Sequence, residues 1–170
     1  NVLKSLGFRA VEESLVAAKP ILEEYYKYLN KDDDENYITT LCPTIVNLIE
    51  KHYPDLIKNL IPSISVFLCH GKMIKEKYGK ETKVAFIGSC LGKKDEGRNE
   101  NCIDAVITFE ELKRWLKKEK ISWENYERSP LDKISNYKSV YPFLWGNKEI
   151  FKERPIKKEL AYIDGIEDCI

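Results

Sequence analysis

The sequence predicts an α/β domain, a parallel β-sheet flanked by helices, and three observations predict it. Short runs rich in β-branched and aromatic residues alternate with segments of helical periodicity, the order that builds strand–helix–strand units. Two of those runs lead into helix-starting residues: Pro43 shortly after Tyr37–Thr40, and Thr108 directly after Ile103–Ile107. At 170 residues the chain is one domain's worth of sequence, able to bury roughly 68–70% of its unfolded surface.

The elements follow in order. Pro20 sits in the first turn of a helix running to Leu29, with Ile21, Leu22, Tyr25, Tyr26 and Leu29 on its apolar face. Lys31 to Asn36 reads as a solvated charged loop without the ligand spacing of a calcium loop. Tyr37–Thr40 suits a short strand, which Cys42 ends. Pro43 then opens a helix that turns Ile45, Leu48 and Ile49 inward. Phe67, Leu68, Gly71, Ile74 and Tyr78 carry a later helix, stopped by Gly79. Lys83–Ile87 and Ile103–Ile107 are strands, and Thr108 with Glu111 forms a capping box for a helix bearing Leu112, Trp115 and Leu116. The expected core is Ile45, Leu48, Val84, Phe86, Ile87, Val106, Leu112 and Trp115. Past Trp123 the pattern weakens: Tyr137 to Glu153 reads as loop with short elements, and Leu160–Ile163 as a last strand. No internal repeat or low-complexity segment stands out.

Charge and cysteine usage exclude several classes. Lys plus Arg (28) equals Asp plus Glu (28), so no strong field recruits nucleic acid or an anionic membrane. No apolar run approaches the ~20 residues of a membrane span, and no signal peptide is evident. Five cysteines (Cys42, Cys69, Cys90, Cys102 and Cys169) form no CxxC pair. An odd count without a secretory signal points to a reducing cytoplasm rather than a disulfide framework. The chain begins at Asn1 without Met and ends at Ile170 in mid-element, so residues 1–170 read as a single fragment of a larger protein.

Position singles out two of the cysteines. Cys42 and Cys90 each lie just past the carboxyl end of an expected strand, where open α/β sheets place their sites. Cys42 also precedes a helix, whose free N–H groups and dipole favour a thiolate. Two thiolates converging from two strand ends suit a soft metal or an iron–sulfur cluster. In FIGSCLGKKDE (86–96), Lys93 and Glu96 follow Cys90, and the lysine would offset the negative charge of such a site. On the residues alone, two buried thiols beside a surface lysine is an equal reading.

Two signatures resemble those of one family, the iron-only (FeFe) hydrogenases. TTLCP (39–43) with TIVNLIEKHYPDL (44–56) is similar to the family's TSCCP segment and following helix, and FIGSCLGKKDE resembles its Met-Pro-Cys-x-x-Lys-x-x-Glu signature. SVFLCHGKMIKEKYG (65–79) falls where the family has a Ser-Pro-led helix. CIDAVITFEELKRWLKKEKI (102–121) is similar to its Ile-Asp-Ala-Val-Ile-Thr segment, and LGFRAVEESL (6–15) to the region before the first signature. The resemblance runs from Leu6 to Leu131 and weakens beyond. It implies one hydrogenase-like lobe plus part of a second. It also implies a site in which a 4Fe–4S cubane is bridged by a cysteine to a diiron centre, together the H-cluster, interconverting protons, electrons and dihydrogen. By position, Cys42 and Cys90 match cubane ligands, Lys93 a lysine that hydrogen-bonds a diiron cyanide, and Glu96 a carboxylate that fixes the loop; Thr40, in the first signature, is assigned a supporting place behind the ligands.

The departures are as informative. Leu41 stands where the family has a proton-passing cysteine, and leucine neither donates nor accepts a proton. Glu24 and Lys27 replace a pair of glutamates on the family's proton route. Gly88-Ser89 replaces Met-Pro, and Ser65-Val66-Phe67-Leu68 replaces a Ser-Pro-Gln-Gln run. The third signature, with two further cluster cysteines, is missing, and Cys169 has no CxxGC around it. The resemblance therefore implies a 4Fe–4S and diiron cofactor in the full-length protein and none bound by this fragment, which is expected to be inactive and colourless. Expected partners are protons, dihydrogen and iron–sulfur electron-transfer domains of the full-length chain.

The remaining candidates read as structural. Cys69 and His70 are adjacent on a helix and point apart. His52 reads as a helix C-terminal residue and Cys102 as packed; Trp115, Trp123 and Trp145 read as core or cover. Two function classes compete: a cluster-binding redox domain of slow turnover, or a hydrogenase-derived redox or dihydrogen sensor without significant turnover. A plain α/β interaction domain is a third.

Overall fold

The computed structural model describes residues 2–136, 155–161 and 163. A short helix α1 (Val2–Ser5) opens the chain, and a 3-10 turn (Ser14–Ala17) leads into α2 (Ala18–Leu29). Pro20 lies in the first turn of α2, and Ala18, Ile21, Leu22 and Tyr25 form its buried face. Helix α3 (Pro43–His52) starts on Pro43, as the sequence requires. Helix α4 (Val66–Tyr78) ends at Gly79, whose φ of +102° suits a residue without a Cβ.

Strands β1 (Ala85–Gly88) and β2 (Ala105–Thr108) pair in parallel, with Ala85 opposite Ala105 and Gly88 opposite Thr108. Between them runs α5 (Gly92–Arg98), and α6 (Phe109–Lys118) follows β2. This is the expected α/β arrangement, though the sheet has only two strands among the described residues. Gly97 of α5 faces the sheet. A methyl there would sit 2.8 Å from Val106 Cγ2, so glycine permits this helix–sheet contact. The predicted capping box forms: Thr108 Oγ1 accepts from Glu111 N–H at 3.2 Å, and Glu111 Oε2 accepts from Thr108 N–H at 2.8 Å.

Four expectations need correction. Tyr37–Thr40 is not a strand; only Ile38 forms a bridge, to Leu60. The ladder stops there because Thr40 N–H donates to Tyr25 Oη (3.2 Å) and Thr40 Oγ1 to the Ser63 carbonyl (2.9 Å). The paired strands begin two residues later than expected. The Asp104 carboxylate takes the Val84 N–H at 2.9 Å and so occupies the donor a ladder would have used. Of the expected core, only Val84 is fully buried; Ile45, Leu48, Phe86, Ile87, Val106, Leu112 and Trp115 are half-buried. The densest packing lies instead around α4, where Phe67 and Leu68 meet Val84, Cys102 and Ile103. A two-stranded sheet offers too little surface to bury both its faces, so the helix takes the centre. Finally, Leu160, Ala161 and Ile163 lie in no strand. Ile156 and Leu160 pack on Ala18 and Leu22, while Lys157 and Lys158 N–H groups reach the Leu29 carbonyl at the end of α2. The Tyr137–Glu153 expectation, Trp145 and Cys169 lie outside the described residues.

Candidate metal centre

Cys42 is the N-cap of α3, with extended backbone, and its thiol side is exposed. Cys90 lies in the turn between β1 and α5 and is half-buried. The two segments meet. A methyl on Gly92 would stand 2.9 Å from Thr44 Oγ1 and 3.3 Å from Pro43 Cγ, so the start of α5 rests on the start of α3. Cys42 directly precedes one of these touching helix ends, and Cys90 stands two residues before the other. Helix α3 spans ten residues, so Cys42 stands at the amino end of a full helix.

Lys93 and Glu96 occupy the next turn, on α5. The Lys93 side chain is only 20% exposed, its Nζ stands 3.8 Å from Glu96 Oε2, and it lies 4.5 Å from the centroid of the Phe67 ring. Burial pushes the Glu96 carboxyl up, while Ser65 beside it and the Lys93 ammonium pull the other way. Ser65 Oγ and Glu96 Oε2 are both buried, and neither is in a well-formed hydrogen bond. Such groups are rare in folded interiors, and here two of them stand beside the Lys93 ammonium.

Thr40 contributes through the backbone. Its hydroxyl donates to the carbonyls of Ser63 (2.9 Å) and Ile61 (3.1 Å), which ties the approach to Cys42 onto the segment entering α4. Tyr25, 3% exposed, receives the Thr40 N–H, and burial raises its phenol pKa, with Glu96 adding to the rise. Leu41 turns inward against the cluster of Ala17, Ile21, Tyr25, Ile61 and Val66. Lys27 is exposed and pairs with Glu24 at 2.6 Å.

The structure therefore brings together the segments bearing Cys42, Cys90, Lys93 and Glu96, and leaves Lys27 on the outside. Sequence reasoning missed Tyr25, Ser65 and Phe67 as builders of this edge. Tyr25 and Phe67 read only as apolar faces of their helices, and the one signal for Ser65 was its place before α4.

The other candidates are occupied structurally. His70 Nε2 lies 3.0 Å from Glu12 Oε2, and Tyr78 Oη donates to Glu12 Oε1 at 3.0 Å. Burial lowers the His70 pKa and Glu12 opposes it. A cavity of about 330 Å³ beside this pair shares no residue with the Cys42–Cys90 edge. Cys102 Sγ donates to the Leu68 carbonyl at 3.5 Å. Among the described residues no group of three or more His, Cys, Asp or Glu side chains could hold a metal ion. As a donor set, two thiols on adjoining turns fit one side of an iron–sulfur cluster but not a closed site, which takes four ligands.

The profile described as iron only hydrogenase large subunit, C-terminal domain, matches residues 1–148. The chain belongs to that family. It is 29% identical over 150 residues to iron hydrogenase 1 of Clostridium pasteurianum, an alignment covering 78% of this chain and 26% of that protein. Among solved structures, it is similar to one titled for stepwise FeFe-hydrogenase H-cluster assembly (TM-score 0.64, 24% identity, 77% of this chain and 37% of that one). A variant of FeFe-hydrogenase HydA1 from Chlamydomonas reinhardtii matches equally well, with a TM-score of 0.64, 24% identity, and 77% of this chain against 38% of that chain. These structures share the fold. The chain spans about a quarter of the curated relative and under two-fifths of the solved ones. No helix of the described residues is long and apolar enough to cross a membrane.

Proposed function

We propose that this chain forms one wall of an H-cluster site in an FeFe-hydrogenase-family protein, with Cys42 and Cys90 as thiolate ligands to a 4Fe–4S cubane. The contact of Gly92 with Pro43 and Thr44 carries the reading, because it sets the two cysteine turns side by side. Lys93 directs an ammonium at an anionic group held there, Glu96 restrains that ammonium, and Thr40 fixes the approach to Cys42. When bound, the cluster supplies electron storage and the chemistry of protons and dihydrogen. The chain's own residues hold its thiolate side, set the local charge and shield it with the α4 face. The remaining ligands and the iron–sulfur electron-transfer partners belong to the rest of a full-length protein.

Iron content and the visible spectrum after anaerobic reconstitution test this. The full-length protein is expected to bind iron and lose most of it on Cys42→Ala or Cys90→Ala, while the 170-residue chain alone stays colourless. Retention of about four irons per isolated chain would show the ligand count to be wrong.

One observation favours a sensory role over fast turnover. Leu41 packs inward as a hydrocarbon at the position where a proton would pass, and rapid turnover needs a relay. Matured full-length protein is expected to turn over slowly, and Leu41→Cys to speed it. Fast turnover by the unmodified protein would refute the interrupted relay.

A further inference from the structure

Lys93 is held in an unusual way. Its side chain is four-fifths buried, yet among the described residues no acceptor lies within hydrogen-bond distance of its Nζ; the nearest carboxylate oxygen, on Glu96, is 3.8 Å away. Its donors are therefore not taken up by the described residues. What it has here is the face of the Phe67 ring, 4.5 Å from Nζ to the centroid. That ring cannot drift. Phe67 is 3% exposed and packs on Phe86 at a centroid distance of 4.8 Å. Its far edge lies 3.7 Å from where a Cβ on Gly97 would be.

We propose that Phe67 is the positioning residue of this site: its ring face holds the Lys93 ammonium while leaving the three N–H donors available to an anionic ligand. The chemistry follows from the residue type. An amide or carboxylate at position 67 could fix the same ammonium only by accepting one of its N–H bonds. An aromatic face attracts the cation through its quadrupole and leaves the donors unused. Glu96, too distant for a hydrogen bond, supplies the opposite charge without capturing a donor. Ligand recognition at this edge therefore depends on a residue that lies on α4, outside the FIGSCLGKKDE signature. The functional meaning rests on the proposed H-cluster reading; the geometry does not.

The test uses the metal-free 170-residue chain with carbon-labelled lysine. The Lys93 ε-methylene signal is assigned by its loss in Lys93→Arg. Above an aromatic face it is expected well upfield of the other lysines, and an unshifted signal in the unmodified chain overturns the proposal without any core variant. Phe67→Leu is expected to remove the shift and Phe67→Tyr to keep it. Both changes disturb the core, so a role in packing alone would not separate them; equal shifts in the two variants would also overturn the proposal. In the reconstituted full-length protein, Phe67→Leu is expected to displace the infrared cyanide bands and Phe67→Tyr to leave them nearly in place. A ring shift in this chain together with a reconstituted full-length protein that binds no iron would sink the H-cluster reading and leave the positioning role standing. Iron bound at Cys42 and Cys90 with no ring shift would do the reverse.

Discussion

The two ends of the β1–β2 pair are built on opposite rules. At the amino end, Asp104 is saturated: Oδ1 takes Lys83 Nζ at 2.9 Å, and Oδ2 takes Lys75 Nζ at 3.0 Å and Val84 N–H at 2.9 Å. At the carboxyl end of β1, Lys93 donates to no described acceptor, and Glu96 Oε2 and Ser65 Oγ are buried without good partners. The carboxyl end of β2 resembles the amino end, because Thr108, Glu111 and Lys94 form a closed set around the α6 cap. Among the described residues this open set gathers on the first turns of α5 and at the Ser65 entry to α4. Saturated polar groups stabilise a fold, and polar groups left with capacity can meet a ligand. The open set also lies outside the carboxyl end of a parallel strand, where α/β sheets bind.

The sharpest way to break this contrast is to remove its saturated member. Asp104→Ala leaves the Val84 N–H without its acceptor and Lys75 and Lys83 without their shared carboxylate, and is expected to cost roughly 1–3 kcal/mol in urea unfolding. Thr108→Ala, which opens the capping box, is expected to cost about 1 kcal/mol by the same measurement. Glu96→Gln should cost less, within about 0.5 kcal/mol, since burial already disfavours the ionised carboxyl that it replaces. A loss as large as that of Asp104→Ala would erase the distinction between the two ends.

The pH dependence sharpens the same comparison, because the two carboxyls act with opposite sign. Lys83 chiefly, with Val84 N–H and Lys75, holds Asp104 well below its ordinary value of 3.8. Its contribution is present above that value and is lost as pH falls through the lower folded one. Glu96 is raised above 4.5, mainly by burial. Folding disfavours its ionised form, so its contribution declines as pH rises through 4.5 toward the folded value. Melting temperature against pH is expected to lose part of its acid fall in Asp104→Asn. Glu96→Gln should remove part of the decline above pH 4.5, and a change of the same sign in both variants would refute the assignment. The smallest effect is expected at Lys27, whose exposed pairing with Glu24 leaves Lys27→Ala without a measurable change in melting.

The sequence by itself determined what is local. Pro43 starts α3, Gly79 stops α4, and Thr108 with Glu111 caps α6, because each of these choices is made within one turn by a residue's own φ or side-chain oxygen. The order of signatures also pointed to the family. The tertiary structure decided what depends on distant residues meeting. Tyr25 and Thr40 ended a strand at a single bridge, and Asp104 delayed the start of two others. The core moved from the sheet to α4, since two strands cannot bury both faces of a sheet. At the site, the motif showed a cysteine, a lysine and a glutamate in order, but not the ring beneath the lysine or the glycine contact that joins Cys90 to Cys42. Those contacts join α5 to α4 and α3. No periodicity within a helix encodes which face of another helix it will meet; that depends on how side-chain volumes close together once the chain is folded.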